Sequence, residues 1–382
     1  MRFSDIAAGL PELVAAATGT SAADIVIDRE PQPDTADQPW LGVKYGPSGD
    51  DDVHGVVGLQ VHAGDRLRDL VVKVNPVHGI GETLIPWIVR EQSIDLPQPY
   101  PLFHSTAEVV ATGTREANLY ELSRTLPELE AILPTFYGVI AVHGERAIVL
   151  ADEGTVRGLD AGGSRIRWST ADIETALRGV GAVHAASVAI IGDVAWLPRR
   201  PTADSMAADA ALWRALLCDA SQRFPEIVTT AVHQQRSSLI DTIAEWHAAK
   251  DVLPTVLAHN DFNPRNVGFR SDGRLLALDW EMARKDSPTR DVAELLTFTL
   301  DPSVIEPDLR RLAREHRQAM AANGVPIAED AHLAALAADL RAEAIDRIGM
   351  QLLFAAAFDL PYIPAINATV DHLVSATAPW LT

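Results

Sequence analysis

The stretch Val256–Glu281, VLAHNDFNPRNVGFRSDGRLLALDWE, decides the reading of this chain. It reads as a strand or loop, a loop dense in Asn and Asp, a short hairpin, a buried strand, and an acid at that strand's end. His259, Asp261 and Asn266 fall in the spacing His-x-Asp-x-x-x-x-Asn, and Asp279 follows in the apolar run LLALDW. Three oxygen-bearing side chains, two of them carboxylates, can therefore converge on one point. Phosphoryl transfer uses such a set: one carboxylate orients a hydroxyl, while an Asn and a second carboxylate hold Mg²⁺. Taken alone, NDFNPRN also has the composition of an Asx-rich turn between two strands.

Working outward, the run LRDLVVKVNP predicts a strand, and Lys73 stands in it among Val71, Val72 and Val74. A Lys inside a β-branched run belongs to a solvated or a functional face. A strand Lys on the nucleotide phosphates is a further part this chemistry needs. Upstream, MRFSDIAAGLPELVAAATGT predicts an amphipathic helix and not a signal peptide, because Asp5 and Glu12 interrupt the apolar stretch. ADIVIDRE, WLGVKYG (40–46) and VVGLQVHA predict strands, and Asp50–Asp52 a solvated turn. His78-Gly-Ile-Gly81 lacks the third glycine and the strand–helix context of a dinucleotide fingerprint. PQPYP (97–101) reads as a loop, TGTREANLYELSRTLPELE as one helix, and LPTFYGVIAVHGERAIVLADEG as two strands joined at His143-Gly144. The composition shifts at Gly154, and from ADIETALRGVGAVHAASV (171–188) onward the chain reads as helical.

Composition bounds the rest. With 382 residues and 47% apolar content, the chain is globular and large enough for one or two domains. A net charge of −20 argues against nucleic acid and anionic membranes as partners and is compatible with a cationic substrate. The single cysteine, Cys218, excludes an internal disulfide and fits a reducing, cytoplasmic compartment. No stretch approaches the roughly 20 apolar residues of a membrane span.

The motif at 259–281 resembles the aminoglycoside phosphotransferase and choline kinase-like family, whose members carry a His-Gly-Asp-x-x-x-x-Asn loop followed by an Ile-Asp-Trp-Glu-like segment. Here the loop is HNDFNPRN and the segment LDWE. Asn260 replaces the usual Gly, and Asn263 and Arg265 stand where the family often has His and Gly. These departures bear on loop shape and substrate contacts and remove no ligand. The resemblance implies an α+β, bilobal protein kinase-like fold: residues 1–153 a nucleotide-binding lobe with an antiparallel sheet and one packed helix, residues 154–382 a mostly helical catalytic lobe.

The same resemblance implies ATP and Mg²⁺ as cofactors and a small-molecule hydroxyl acceptor, an amino sugar or choline-like compound among the candidates. Lys73 would contact the α- and β-phosphates, and Glu116, in the family's Arg-Glu-Ala helix start, would hold it, with Glu91 the rival. Backbone groups at Ala151, Asp152 and Glu153 would meet the adenine edge. Asn266 and Asp279 would hold the metal, and Asp261 would orient the acceptor. Asp291 would anchor the catalytic loop's backbone. Arg265 is open between a γ-phosphate contact and loop packing, and His259 buttresses the loop. His184, in LRGVGAVHAA, is expected to pack in its helix against a backbone carbonyl, and the acids Glu329, Asp330, Asp339, Glu343 and Asp346 to line solvated faces. A nucleotide-binding protein without transfer activity and an AMP-transferring enzyme are the rival functions.

Overall fold

In a computed structural model of the chain, the residues described below are 1–27, 32–33, 53, 55–75, 80–97, 112–160 and 167–381. The strand expected at 40–46, the acidic turn at 50–52, His78 and most of the loop at 97–101 lie outside them. The chain divides into two compact units: Met1–Pro86, Val109–Val156 and Leu276–Met282 form the first, and the remainder the second. One is built on a sheet and the other on helices, which is the α+β class the motif implied.

The first unit is an antiparallel sheet with a helix on each face. Helix α1 (Phe3–Thr18) precedes β1 (Ile25–Ile27), β2 (Gln32–Pro33), β3 (Gly55–Ala63) and β4 (Arg66–Asn75). After α2 (Ile80–Glu91), which runs on into the second unit, come α3 (Thr112–Ser123), α4 (Pro127–Ile132), β5 (Phe136–Val142) and β6 (Glu145–Ala151). The strands run in the order β1-β3-β4-β6-β5, with β2 also on β3. Strand periodicity sorts the side chains. Val57, Leu59, Val61, Leu70, Val72 and Val74 face a core that also takes Ile6, Leu10 and Val14 of α1. Lys73, between Val72 and Val74, points to the opposite face, and α3 packs against β4, β5 and β6. The helix expected through 130 is two helices. Pro127 lacks the N–H a continuing helix needs, so it opens α4 at its first turn.

The second unit is mostly helical. It runs through α5 (Thr170–Ser187), α6 (Ala203–Ala208), α7 (Ala210–Arg223), α8 (Thr230–Asp241) and α9 (Ile243–His247). The decisive stretch then supplies β7 (Val256–Ala258), β8 (Val267–Phe269) and β9 (Leu275–Ala277), the last two residues of β9 belonging to the first unit. Strand β10 (Arg284–Asp286) pairs antiparallel with β7 and is followed by α10 (Arg290–Thr299), α11 (Glu306–Ala322) and α12 (Glu329–Ala342). A π-helical turn at Glu343–Arg347 leads into α13 (Ile348–Ala355), and α14 (Ile363–Ala376) follows. Ser169 and Asp172 form a reciprocal capping box that starts α5. No described helix is long and apolar enough to cross a membrane.

Candidate active site

In the first unit, Lys73 Nζ lies 2.7 Å from Glu116 Oε2 and 2.6 Å from Asp279 Oδ1. Asn75 Nδ2 donates to the same Glu116 oxygen at 2.6 Å. The contact follows from local structure: β4 turns Lys73 away from the core, and α3 brings Glu116 over that face. Glu116 is fully buried, so desolvation pushes its carboxyl up while the Lys73 ammonium pulls it down, and desolvation wins. Glu91, the rival, bonds Arg90 instead. Asp279 takes φ +57°, left-handed backbone in which Asp is among the few tolerated side chains. Its side chain is 38% exposed, and one of its oxygens holds Lys73. The amides of Ala151 and Asp152 already donate to Thr135 O and Asp69 O, and Glu153 Oε1 accepts the Thr135 N–H.

In the second unit, Asp261 sits on the loop after β7 and is held from three sides. Its Oδ1 accepts from Asn263 Nδ2 at 2.9 Å and from Arg265 at 3.3 Å, and its Oδ2 accepts from Asn266 Nδ2 at 2.6 Å. Asn266 thus commits its NH₂ to Asp261, and its Oδ1 accepts no hydrogen bond among the described residues. A hard oxygen with open lone pairs is the donor type Mg²⁺ takes. Asn263 Oδ1 receives the Arg265 backbone N–H and Nε. The Arg265 guanidinium also bonds Tyr362 Oη at 2.9 Å and lies over the rings of Phe298 and Tyr362. Burial works against this charge, but Tyr362, Asp261 and Glu294 outweigh it and hold Arg265 above its ordinary range. His259 is fully buried, its ring edge-on to Phe262.

The loop's backbone is fixed by α10. Asp291 accepts the His259 N–H on Oδ2 and the Asn260 N–H on Oδ1, both at 2.8 Å. Desolvation raises the Asp291 carboxyl, but the His184 hydrogen bond and charge, His259 and the Asn260 amide bring it below its ordinary value. His184 does not bond a backbone carbonyl through its ring, as its helical setting suggested. Its Nε2 lies 3.0 Å from Asp291 Oδ2, because α10 presents a buried carboxylate to α5.

Asn260 shows why this chain tolerates the loss of the usual glycine. Its φ is +60°, and Asn enters that region more readily than other residues with a Cβ. The side chain then does what Gly cannot: Oδ1 accepts from Arg290 Nε at 2.9 Å. The backbone carbonyl of Asn260 accepts from Arg347. Arg290 in turn pairs with Glu294 at 3.1 Å and Glu343 at 2.8 Å, and Arg347 with Glu294 at 3.2 Å. Sequence reasoning missed this buried network. Its signal was an Arg and a Glu four residues apart in RDVAELL, where only Asp291 besides them is polar. Two acids expected on solvated faces are also corrected. Asp339 is fully buried against Lys250 at 2.8 Å and Thr289 at 2.6 Å, and Glu343 against Arg290. A π-helical turn rotates residues 343–347 away from the register that α-periodicity assigns.

Asn260→Gly is expected to lower stability by about 1–3 kcal/mol, the cost of stripping a buried charged donor of its acceptor. Asn260→Ala should lose about 1 kcal/mol more, since it adds left-handed strain to the same loss. Urea unfolding of the three proteins checks the order; an Ala variant as stable as the Gly variant would contradict it.

Among the described residues, no cluster of three or more His, Cys, Asp or Glu side chains forms a metal cage. A site for Mg²⁺ has no need of one, because this ion keeps waters and takes one or two protein oxygens beside substrate phosphates. What the geometry offers is a buttressed carboxylate on a pinned loop, an Asn oxygen beside it, and separately a Lys bracketed by two carboxylates.

Residues 165–347 match the phosphotransferase enzyme family. The match spans just under half of the chain and includes the whole loop from His259 to Asn266 as well as Asp279 and Asp291. It is the family to which the spacing in Val256–Glu281 pointed. No curated protein matches the chain by sequence. Among solved structures, an aminoglycoside phosphotransferase from Alicyclobacillus acidocaldarius is similar at 14% identity and TM-score 0.47, covering 92% of this chain and 96% of that one. A macrolide 2'-phosphotransferase from Brachybacterium faecium is similar at 16% identity and TM-score 0.46, covering 96% and 97%. A choline kinase from Streptococcus pneumoniae is similar at 12% identity and TM-score 0.45, covering 85% and 89%.

Proposed function

We propose that this protein is an ATP-dependent phosphotransferase that moves the γ-phosphate to a hydroxyl of a small molecule, with a cationic amino sugar or aminoglycoside-like compound as the first acceptor class to test. The observation that carries the proposal is the Asp261 carboxylate, held by Asn263, Arg265 and Asn266 on a loop whose backbone amides are tied to Asp291. All of these residues lie within the region that matches the family.

Asp261 accepts a hydrogen bond from the acceptor hydroxyl and takes its proton late. The hydroxyl oxygen forms the new bond to the γ-phosphorus, the bond from that phosphorus to the β–γ bridging oxygen breaks, and ADP leaves with the electron pair. Because this transition state is loose, holding the hydroxyl in line contributes more than base strength. Lys73, kept in place by Glu116, neutralises the α- and β-phosphates. Asn266 and Asp279 would supply oxygens for Mg²⁺, whose charge would offset that of the phosphates. Arg265, bonded to Asp261, is the residue that would meet the γ-phosphate as it transfers.

Asp279→Ala is expected to weaken Mg²⁺-dependent ATP binding by about tenfold or more in calorimetry, while binding measured with EDTA changes little. Equal losses with and without Mg²⁺ would assign Asp279 to Lys73 alone. The function itself is tested with ATP and Mg²⁺ against amino-sugar antibiotics, simple sugars and amino alcohols, with products weighed by mass spectrometry. A phosphate adduct on one acceptor class supports the proposal. An AMP adduct, or nucleotide binding with no adduct on any acceptor, replaces it.

A further inference from the structure

Beside Asp261 the second unit seats a cation of its own. The Arg265 guanidinium lies 5.3 Å from the centre of the Phe298 ring and 5.2 Å from that of Tyr362, and the two rings stand 6.0 Å apart. Each of its nitrogens donates: Nε to Asn263 Oδ1 at 3.2 Å, Nη1 to Tyr362 Oη at 2.9 Å and Nη2 to Asp261 Oδ1 at 3.3 Å. Phe298 and Tyr362 are buried, while the Arg265 side chain keeps 28% exposure. The seat is assembled from the loop after β7, the end of α10 and the residue that opens α14, so the spacing within the loop gives no sign of it.

Aromatic faces beside a carboxylate are the groups that bind the ammonium of a ligand. Here they are committed to a side chain that is charged at any working pH. The acceptor hydroxyl must approach the same Asp261 carboxylate, at a hydrogen-bond distance of about 2.7 Å. An ammonium on the carbon next to the one bearing that hydroxyl then comes within a few ångströms of Arg265. It meets a like charge and finds the seat filled. A neighbouring carbon that bears oxygen or hydrogen meets neither obstacle. The three bonds above use three of the five guanidinium N–H groups, so a filled seat is compatible with a contact to the γ-phosphate.

We infer that Arg265 is a specificity-determining residue: as an internal cation it fills the seat that an acceptor's ammonium would take, and so directs transfer to hydroxyls with no cationic group on the adjacent carbon. The acceptor class this favours is a sugar or polyol whose amine, where it has one, lies further from the reacting hydroxyl. Small amino alcohols, with ammonium and hydroxyl on neighbouring carbons, are refused. The specificity role rests on the phosphotransfer reading, but the filled seat does not.

The seat is tested without turnover, by ligand-observed NMR titration of the full chain with tetramethylammonium. Arg265→Ala empties the seat and is expected to bind this cation more tightly than wild type by about tenfold, and Arg265→Ala with Tyr362→Leu is expected to lose the gain. Equal binding by all three proteins overturns the inference. Specificity is tested by comparing kcat/KM for choline and for its uncharged isostere, in which carbon replaces nitrogen. Wild type should favour the isostere, and the ratio should move toward choline by about tenfold in Arg265→Ala while Arg265→Lys, which restores a cation, returns it toward wild type. Turnover of both acceptors falls in these variants because Arg265 also holds Asp261, and the ratio cancels that shared loss. A wild type that favours choline, or a ratio that does not move in Arg265→Ala, overturns the specificity role. If Arg265→Ala does not fold, Arg265→Gln, which keeps an N–H donor and drops the charge, carries the ratio. If no acceptor of any class is phosphorylated, the phosphotransfer reading falls and the titration still decides whether Arg265 fills a cation seat.

Discussion

Asp261→Asn is expected to lower turnover by about 10²–10⁴-fold while ATP affinity stays near that of wild type. An amide cannot take the acceptor's proton, and it also mismatches its neighbours. Wild-type Asp261 receives N–H donors on both oxygens, from Asn263 and Arg265 on one and Asn266 on the other. Whichever way the new amide turns, its NH₂ faces a donor. A loss of stability of about 1–3 kcal/mol should therefore accompany the loss of turnover. Steady-state kinetics with an accepted substrate, calorimetry with ATP, and urea unfolding separate the three effects. Near-normal turnover would remove Asp261 from the chemistry. Lost nucleotide binding would instead mean that its first duty is to position Asn266.

Arg290→Met should cost about 3–5 kcal/mol of stability at pH 8, because it leaves buried carboxylates without their cation. Arg290 is itself almost fully buried and pairs with Glu294 and Glu343, while its Nε donates to Asn260 Oδ1. Met fills much of the same volume, so the loss reports charge and hydrogen bonding more than a cavity. The pH dependence gives the effect a signature. Burial first, and the Glu294 charge next, push the Glu343 carboxyl well above its ordinary range, while Arg290 and Arg347 pull it back. Without Arg290 the opposition weakens and Glu343 rises further. A carboxyl whose folded pKa lies above its unfolded one stabilises fully below the unfolded value and loses that contribution as pH rises through the folded value. The variant's deficit should therefore shrink on going from pH 8 to pH 5.5. Urea unfolding at both pH values tests this. A deficit that is the same at both would mean that Glu343 is not the group left exposed to the loss. Adding Glu343→Gln to Arg290→Met should recover part of the deficit at pH 8 and little at pH 5.5.

Much of the candidate site was legible along the chain. The loop spacing places Asp261 and Asn266 within one turn-rich segment, and local backbone geometry is enough to bring them together at 2.6 Å. Strand alternation set Lys73 apart from Val72 and Val74, and a helix start with an acid, Glu116, was the partner expected to cover its face. Asp291 also took the expected role, since an acid in the first turn of a helix sits where loop amides can reach it. What the spacing could not show were the pairings across long stretches of chain. His184 meets Asp291, 107 residues away, and Arg347 meets Glu294, 53 residues away. Each partner taken alone reads as an ordinary surface charge or a packed helical His.

The sequence by itself set Asp261 and Asn266 a few residues apart on one loop, the spacing on which the proposed phosphoryl transfer rests, because that distance is written in the chain. It also determined the sheet-then-helix order, because periods of 2 and 3.6 are local properties of the residues. Only the tertiary structure decided what holds the loop in shape. An Asn in a left-handed position, an Arg–Glu cluster and the His184–Asp291 contact are buried together by α5, α10 and the π-helical turn. Burial turns these charges from solvated decorations into paired groups whose loss is costly, and burial is set by which helices meet and not by which residues are neighbours in sequence.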